Sequence, residues 1–539
     1  MRLASGEPDA VRRWRIAAWL LCVVGAAARI AAYAQNRSLW YDEAALALNI
    51  ARRGFVDLVA PLDFLQAAPP LFLWAERAMV LLFGVNEWAL RVVPLVCGIL
   101  TAPMMWRVAR RLLSAPVAVL AVALVALSPT LVRYAAEVKP YASDALVTLL
   151  ILDQTIAAAQ GRSGIAEWRR LALVGLAAIV SSTPSVFVLA GVIAFMVSSA
   201  LLAKDPVWGR RAIALAVLWG ATFGVLLATV FRPLLGEDTP IGKYMHWYWA
   251  ANFLTPDPPG LAAKFSALLW AALTNTFLGD AAFRGATTVL VSAVLVGVVV
   301  LLAVRKTPQA LLLTVPIVSL AVAATVRRYP IAERLILFAA PLSALIIAAS
   351  QLAFSHRRVV RVRGWLTGTL TAVVVVLAAW GAVMRLESDV GRQESRALAR
   401  EADRTHATGV PVWISGGGEA AWRFYTNRVS SPELTSKFGG RALAADMLLG
   451  EWYNAGPERI LTVRDDTVSA ARPSTWSRTE AIRVRSLSRP CALLFLTQTQ
   501  PDEAVSLLSS VRQIGGRVRE SRRAPGAEVY HVCFAQADS

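Results

Sequence analysis

Residues 69–84 read PPLFLWAERAMVLLFG, and their placement decides the topology of the chain. The stretch is apolar, but it falls short of the roughly 20 residues that a membrane crossing needs, and Glu76 and Arg77 occupy its middle. It reads as an interfacial helix lying on a bilayer. On either side, apolar runs long enough to cross occur at about 16–34, 91–108, 114–132, 140–158, 169–184, 185–203, 212–234, 286–304, 309–326, 334–354 and 364–384. Loop charge agrees. With eleven crossings and the N-terminus inside, the clusters Arg12/Arg13/Arg15, Arg107/Arg110/Arg111, Arg162/Arg169/Arg170, Lys204/Arg210/Arg211, Arg305/Lys306 and Arg357/Arg358/Arg361/Arg363 share one side, which the positive-inside bias makes cytoplasmic. A twelfth crossing at 69–84 would send five of the six outside.

Composition points the same way. Of 539 residues, 56% are hydrophobic and 17% charged, with a mean hydropathy of +0.53, too few charges to cover a soluble enzyme of this length. The net charge of +19 would fit nucleic acid if it were clustered on a soluble face. It lies instead in residues 1–384, with 34 basic and 18 acidic groups, against 21 and 18 in 385–539. No nucleic-acid partner is expected. Arg12 to Arg15, an apolar stretch and Ala32-Tyr33-Ala34 have the outline of a signal peptide, but Arg29 interrupts it, so a retained first crossing is expected.

The expected architecture is therefore an all-α membrane bundle over 1–384, with external loops at 35–90 and 235–285. After Arg385 the balance becomes that of a soluble protein. Strands at 411–418, 491–500 and in AEVYHVCF, alternating with helices in EAAWRFYTN and PDEAVSLLSSVRQIGG, predict a small α/β domain over 385–539 on the outer face. Gly416-Gly417-Gly418 after a strand is either a phosphate cradle or a plain turn. Cys22 and Cys97 sit in apolar runs as small core residues, whereas Cys491 and Cys533 are placed to pair if the domain is extracytoplasmic.

Three external groups carry chemistry. SLWYDEAALALNI (38–50) starts a helix whose first turn holds Asp42 and Glu43; either they cap it, or one is a general base at the interface. Adjacent helical residues point about 100° apart, so the two cannot share one task. SPTLVRYAAEVKPYASDAL (128–146) brings Arg133, Glu137, Lys139, Tyr141 and Asp144 to one turn; Glu137 and Lys139 either satisfy each other or anchor the interface, and external cations fit an anionic partner. RRYPIAERLILFAAPL (327–342) places Arg327, Arg328 and Arg334 outside, where guanidinium groups suit a lipid phosphate, unless Glu333 pairs with Arg334. The four histidines form no ligand set, and no Walker loop, GxGxxG or G-x-S-x-G occurs. The sequence requires no cofactor and leaves a divalent metal open.

WYDEAALAL, APPLFLW followed by FGVNEWALRVVPLVCGIL, LSPTLVRYAAEVKPYASDAL and IAERLILFAAPL, in this order, resemble the GT-C integral-membrane glycosyltransferases over roughly residues 14–384. The subgroup is that of the bacterial relatives of protein O-mannosyltransferases and of the lipid A aminoarabinose transferase. The resemblance implies transfer of a sugar from a polyprenyl-phosphate donor to an envelope lipid, glycan or protein acceptor, at the outer face of a bacterial cytoplasmic membrane. By that likeness Asp42 is the base and Glu43 the neighbouring acid. Glu137 or Asp144 is the second external acid, and Lys139, Tyr141, Arg328 and Arg334 lie near the lipid phosphate. Ala67-Ala68 replace the Glu-Lys pair that aminoarabinose transferases carry before the Pro-Pro at 69–70, which argues against aminoarabinose as the sugar. The competing class is a transporter or flippase of lipid-linked sugars, for which charges spread through the crossings are expected rather than gathered at one end.

Overall fold

The computed structural model describes residues 9–161, 164–232, 240–254, 258–278, 306–351, 393–426 and, with short breaks, 442–450 and 460–535. The expected crossings at 286–304 and 364–384 and the boundary at 384/385 lie, apart from isolated positions, outside the described residues. The helices are α1 (Asp9–Ala34), α2 (Tyr41–Arg52), α3 (Pro70–Phe83), α4 (Glu87–Leu90), α5 (Val92–Leu112), α6 (Ala115–Ala126), α7 (Pro129–Tyr134), α8 (Tyr141–Gln160), α9 (Ile165–Ser181), α10 (Ser185–Ala203) and α11 (Pro206–Thr229). Then come α12 (Pro240–Tyr248), α13 (Pro258–Leu278), α14 (Thr307–Thr325), a 3-10 stretch at Glu333–Ala339 and α15 (Ala340–Ala349). Among the described residues, seven helical segments are long and apolar enough to cross a membrane. They are Val11–Ala34, Glu87–Leu112, Tyr141–Gln160, Ser185–Ala203, Pro206–Thr229, Gly260–Leu278 and Thr307–Thr325.

Residues 69–84 form the expected short helix. α3 has 14 residues, about 21 Å at 1.5 Å per residue, too short for the hydrocarbon core. Its Phe72, Leu73, Glu76 and Val80 are buried, while Leu81, Leu82 and Phe83 are exposed. Two expected crossings are not continuous helices. The run 114–132 breaks at Leu127, because Pro129 cannot continue the hydrogen-bond ladder and Ser128 caps a new helix by accepting from the Leu131 N–H. The run 334–354 begins as the 3-10 stretch and becomes α-helical at Ala340, with Pro341 in the first turn. Conversely, the expected loop 235–285 contains α12 and α13. Helix α13 is long enough to cross, but both of its ends fasten to one end of the bundle. Leu254, just before it, donates to Ala324 at the end of α14, while Ser128 and Thr130 donate to the carbonyls of Thr276 and Asn275. α13 thus lies across that end, which is also where the cavity described below opens.

Close helix contacts use small residues. A Cβ on Gly25 of α1 would stand 2.7 Å from the Ala126 carbonyl, and one on Gly191 of α10 2.8 Å from the Leu312 carbonyl of α14. Arg29, the charge that interrupts the first apolar run, is 1% exposed and donates to the carbonyls of Gly25, Val125 and Ala126. It satisfies the last carbonyls of α6, which a helix end leaves without partners. At the opposite end of the bundle Arg107 and Arg111 pair with Asp153, and a recess of about 480 Å³ is edged by Arg111, Gln160, Ala203 and Gln309. Among the described residues, Arg107 and Arg111 thus lie away from the cavity end.

The C-terminal part has helices α16 (Ser395–His406), α17 (Glu419–Tyr425), α18 (Pro473–Leu487) and α19 (Glu503–Gln513). Its strands are β1 (Val412–Ile414), β2 (Ala442–Ala444), β3 (Met447–Leu449), β4 (Ile460–Arg464), β5 (Thr467–Ala471), β6 (Cys491–Thr497), β7 (Gly516–Ala524) and β8 (Ala527–Phe534). The main sheet runs β2-β3-β1-β6-β8-β7, with β1 parallel to β3 and β6 and the other pairings antiparallel. Cys491 lies opposite Cys533 in the β6–β8 register, and the two form a disulfide. This domain shares a hydrophobic core with the first loop: Leu39, Ala44, Leu48 and Phe72 pack in one cluster with Leu398, Val412, Trp422 and Phe495. Around that core the Leu39 N–H donates to the Tyr425 hydroxyl (2.6 Å), Ser38 Oγ to Glu394 (2.9 Å), and Arg396 pairs with Glu87 (2.7 Å).

Candidate active site

The loops that parity placed on one side converge on a single cavity of about 760 Å³. Its polar wall includes Asp42, Lys139, Asp144, Arg327, Arg328 and Arg334; its apolar side carries Phe187, Phe223, Leu227 and Phe231 from α10, α11 and the residues after α11. Three arginines and Lys139 against two acids give the wall an excess of basic groups among the described residues. Such a wall fits an anionic group, and the apolar side fits a hydrocarbon chain.

The Asp-Glu pair divides as the 100° rule requires. Glu43 is 1% exposed and does not line the cavity. It accepts two bonds from Arg91, Nε to Oε1 at 3.0 Å and Nη2 to Oε2 at 2.8 Å, and a third from the Val138 N–H at 2.7 Å. It also reaches back to the Trp40 N–H at 3.4 Å, so the capping reading applies to Glu43. Asp42, with its side chain 22% exposed, turns into the cavity, where Arg334 Nη1 stands 3.1 Å from Oδ2. The Arg334 guanidinium lies over the rings of Trp40 and Trp249, at 5.3 and 5.2 Å from their centroids.

Two expected pairings are replaced by others. Glu137 does not pair with Lys139: its carboxylate accepts from Arg133 Nε (2.7 Å) and Trp40 Nε1 (3.2 Å), which puts it behind the cavity wall. Lys139, 6% exposed, donates to Gln66 Oε1 at 2.8 Å. Burial lowers the Lys139 ammonium below its usual range; Asp42 opposes that shift and Arg334 adds to it. Glu333 does not pair with Arg334 but accepts from Thr130 (3.0 Å) and Asn275 (3.4 Å), which frees Arg334 for Asp42. Tyr141 and Asp144, on the first turn of α8, are buried and face the same cavity, and Arg328 lines it from the turn after α14.

Sequence reasoning passed over Gln66, Trp249, Tyr329 and Gln498, all of which line the cavity. Neutral amides and aromatics carry no charge signal, and Gln498 comes from the C-terminal domain. Phe64 and Leu65, also in the wall, both have positive φ (59° and 52°), an uncommon backbone state for bulky side chains that marks this loop as held by its surroundings. Among the described residues the group spaced for a metal is Cys491, His531 and Cys533, but its sulfurs are bonded to each other. Among the described residues the cavity acids are Asp42, paired with Arg334, and Asp144.

The model of the dolichyl-phosphate-mannose-protein mannosyltransferase family matches residues 67–238. Over those residues the match bears out the resemblance to membrane glycosyltransferases of the mannosyltransferase type. Among solved structures, this chain is similar to ArnT from Cupriavidus metallidurans bound to undecaprenyl phosphate (14% identity, 95% of this chain and 97% of that one, TM-score 0.49). It is also similar to the Archaeoglobus fulgidus oligosaccharyltransferase complexed with zinc and sulfate (13% identity, 88% and 67%, TM-score 0.49). A third likeness is to the oligosaccharyltransferase AglB of that organism, with an inhibitory peptide and a dolichol-phosphate (12% identity, 97% and 74%, TM-score 0.48). No curated protein sequence matches.

Proposed function

We propose, from the premise that this chain is a GT-C-type glycosyltransferase, that it transfers a sugar from a polyprenyl phosphate to an acceptor hydroxyl in one inverting displacement. Asp42 takes the acceptor proton, the hydroxyl oxygen attacks the anomeric carbon, and the bond from that carbon to the phosphate oxygen breaks, its electron pair leaving with the lipid phosphate. Arg334, Arg328 and Lys139 surround the departing charge; preorganised cations in a site shielded from water stabilise it far more than solvent does. Tyr141 and Asp144 complete the wall around the donor. Phe187, Phe223, Leu227 and Phe231 take the first isoprenoid units. Glu43 is a positioning residue that fixes α2, and Glu137 fixes Trp40. No step runs through a metal. The positive-inside bias puts the cavity end on the extracytoplasmic side, with 385–539 as an external domain.

The observation that carries this reading is a carboxylate and four cations sharing one cavity whose other side is hydrocarbon-like. In proteoliposomes supplied with undecaprenyl-phosphate sugars and an envelope-lipid extract, Asp42→Asn is expected to lower transfer by about 10²-fold or more, the scale of general-base help, while the protein stays inserted and folded. Retention of more than about a tenth of wild-type turnover rejects Asp42 as the base. Mass spectrometry of a deletion strain identifies the substrates, as an accumulated lipid-linked sugar and an acceptor lighter by one sugar.

A further inference from the structure

The cavity is not made by the membrane bundle alone. Gln498, directly after the central strand β6 of the C-terminal domain, lines the same cavity as Asp42 and Arg334. Its Oε1 is shielded from solvent and accepts no hydrogen bond among the described residues. Its φ is +55°, a left-handed state that glutamine rarely adopts, so the surroundings hold it there.

Those surroundings explain the triple glycine. Gly416–Gly418 form a 3-10 turn beneath the end of β6, and a Cβ on Gly417 would stand 2.9 Å from the Thr497 carbonyl and 3.2 Å from Gln498 Cβ. Of the two roles open to the run, the structure assigns the turn, and the glycine lets the β6 end approach this closely. Ser415 Oγ sits 3.3 Å from both the N–H and the carbonyl oxygen of Thr497, and Thr497 Oγ1 donates to the Gly526 carbonyl at 2.9 Å. The backbone before Gln498 is thus fixed on both sides, and its amide meets the cavity at a set position.

We propose that Gln498 is a specificity-determining residue whose carboxamide hydrogen-bonds a hydroxyl of the saccharide in the cavity. The inference rests on the glycosyl-transfer reading. Cations already serve the phosphate, and a neutral amide discriminates poorly among anions. A planar amide suits vicinal hydroxyls, and the aromatic residues Trp40, Tyr248, Trp249 and Phe253 line the same cavity. The hydroxyl belongs either to the donor sugar or to a glycan acceptor.

The test uses the full-length protein in nanodiscs, with Gln498→Ala and with Gln498→Gly, which keeps the left-handed backbone without strain. Probes are undecaprenyl phosphate and undecaprenyl-phosphate mannose, glucose and galactose, with binding read by tryptophan quenching and transfer by product formation. If the donor sugar is the ligand, both variants bind the preferred sugar-lipid at least tenfold more weakly and lose selectivity among the three, while undecaprenyl phosphate binds within twofold of wild type. If the acceptor is the ligand, donor binding is unchanged and the acceptor KM rises at least tenfold. Equal weakening of undecaprenyl phosphate reduces Gln498 to a structural role and overturns the proposal, as does an unchanged profile in both arms. A wild-type protein that binds sugar-lipids but transfers nothing rejects the glycosyl-transfer reading, and the binding arm still tests Gln498.

Discussion

Asp42 and Arg334 are the residues on which the chemistry turns, and each has a substitution that separates charge from shape. Arg334→Lys keeps the cation but loses the planar group that lies over Trp40 and Trp249 and meets Asp42. We expect kcat/KM to fall by about 10- to 100-fold, roughly 1.4 to 2.7 kcal/mol of transition-state stabilisation, with a larger fall for Arg334→Gln. Lys139 sets a pH dependence. Its folded-state pKa is lowered by burial, so the protonated ammonium is lost as pH rises through a value below the usual 10.5. The alkaline limb of the pH–rate profile should fall below that value and move upward in Lys139→Arg; an unmoved limb separates Lys139 from the reacting charge. Much of this polar wall was legible because an acid or a cation at the end of an apolar run is conspicuous. Its pairings were not. Glu137 and Lys139, two residues apart, point to different partners, and the sequence does not record that Trp40 bonds the one and Gln66 the other.

At the scale of elements, α2 carries Asp42 but is aimed by Glu43, Arg91 and the Val138 N–H. Removing one member of such a buried pair leaves the other charge uncompensated, at a cost of about 3–5 kcal/mol. Arg91→Met should therefore lower the thermal midpoint and reduce kcat together, whereas the double variant Glu43→Leu/Arg91→Met should recover most of the midpoint and little of the rate. Helix α3 holds a different tension. Glu76 is fully buried and neither oxygen has a hydrogen-bond partner among the described residues; burial, and then the charge of Glu43, push its carboxyl well above the ordinary 4.5. An acid whose folded pKa is raised leaves stability intact below its unfolded pKa. As pH climbs past about 4.5 the unfolded chain ionises and gains, so the fold weakens up to the raised value. Glu76→Gln should flatten the fall of the midpoint as pH rises above about 4.5 and raise it at the upper end; an unchanged slope shows that other groups set it. The length of this helix was legible, because the apolar run at 69–84 is too short to cross; the burial of Glu76 was not. The break at Pro129 was less so, since hydropathy sees one run from 114 to 132 where the backbone makes two helices. Helix α13 was invisible to a charge-parity argument, which counts sides but not elements lying along them.

The whole molecule joins a bundle to a sheet through the loop that bears the base. Leu39 bonds Tyr425, Ser38 bonds Glu394, and α2 shares its hydrophobic cluster with β1, α17 and β6. The disulfide Cys491–Cys533 spans 42 residues of the sheet domain. Its replacement by Cys491→Ser/Cys533→Ser should cost that domain about 2–4 kcal/mol and lower transfer at elevated temperature before the bundle itself melts. Unaltered heat inactivation would show that the sheet is held by its packing alone. The seating of Gln498 in the cavity has a further consequence for biogenesis. A ribosome delivers Asp42 early, yet Gln498, which lines the same cavity, follows β6, a strand held between β1 and β8. A nascent polypeptide can insert its helices before the residue after β6 is seated, so the lining of the cavity is completed only once the sheet that holds β6 has formed.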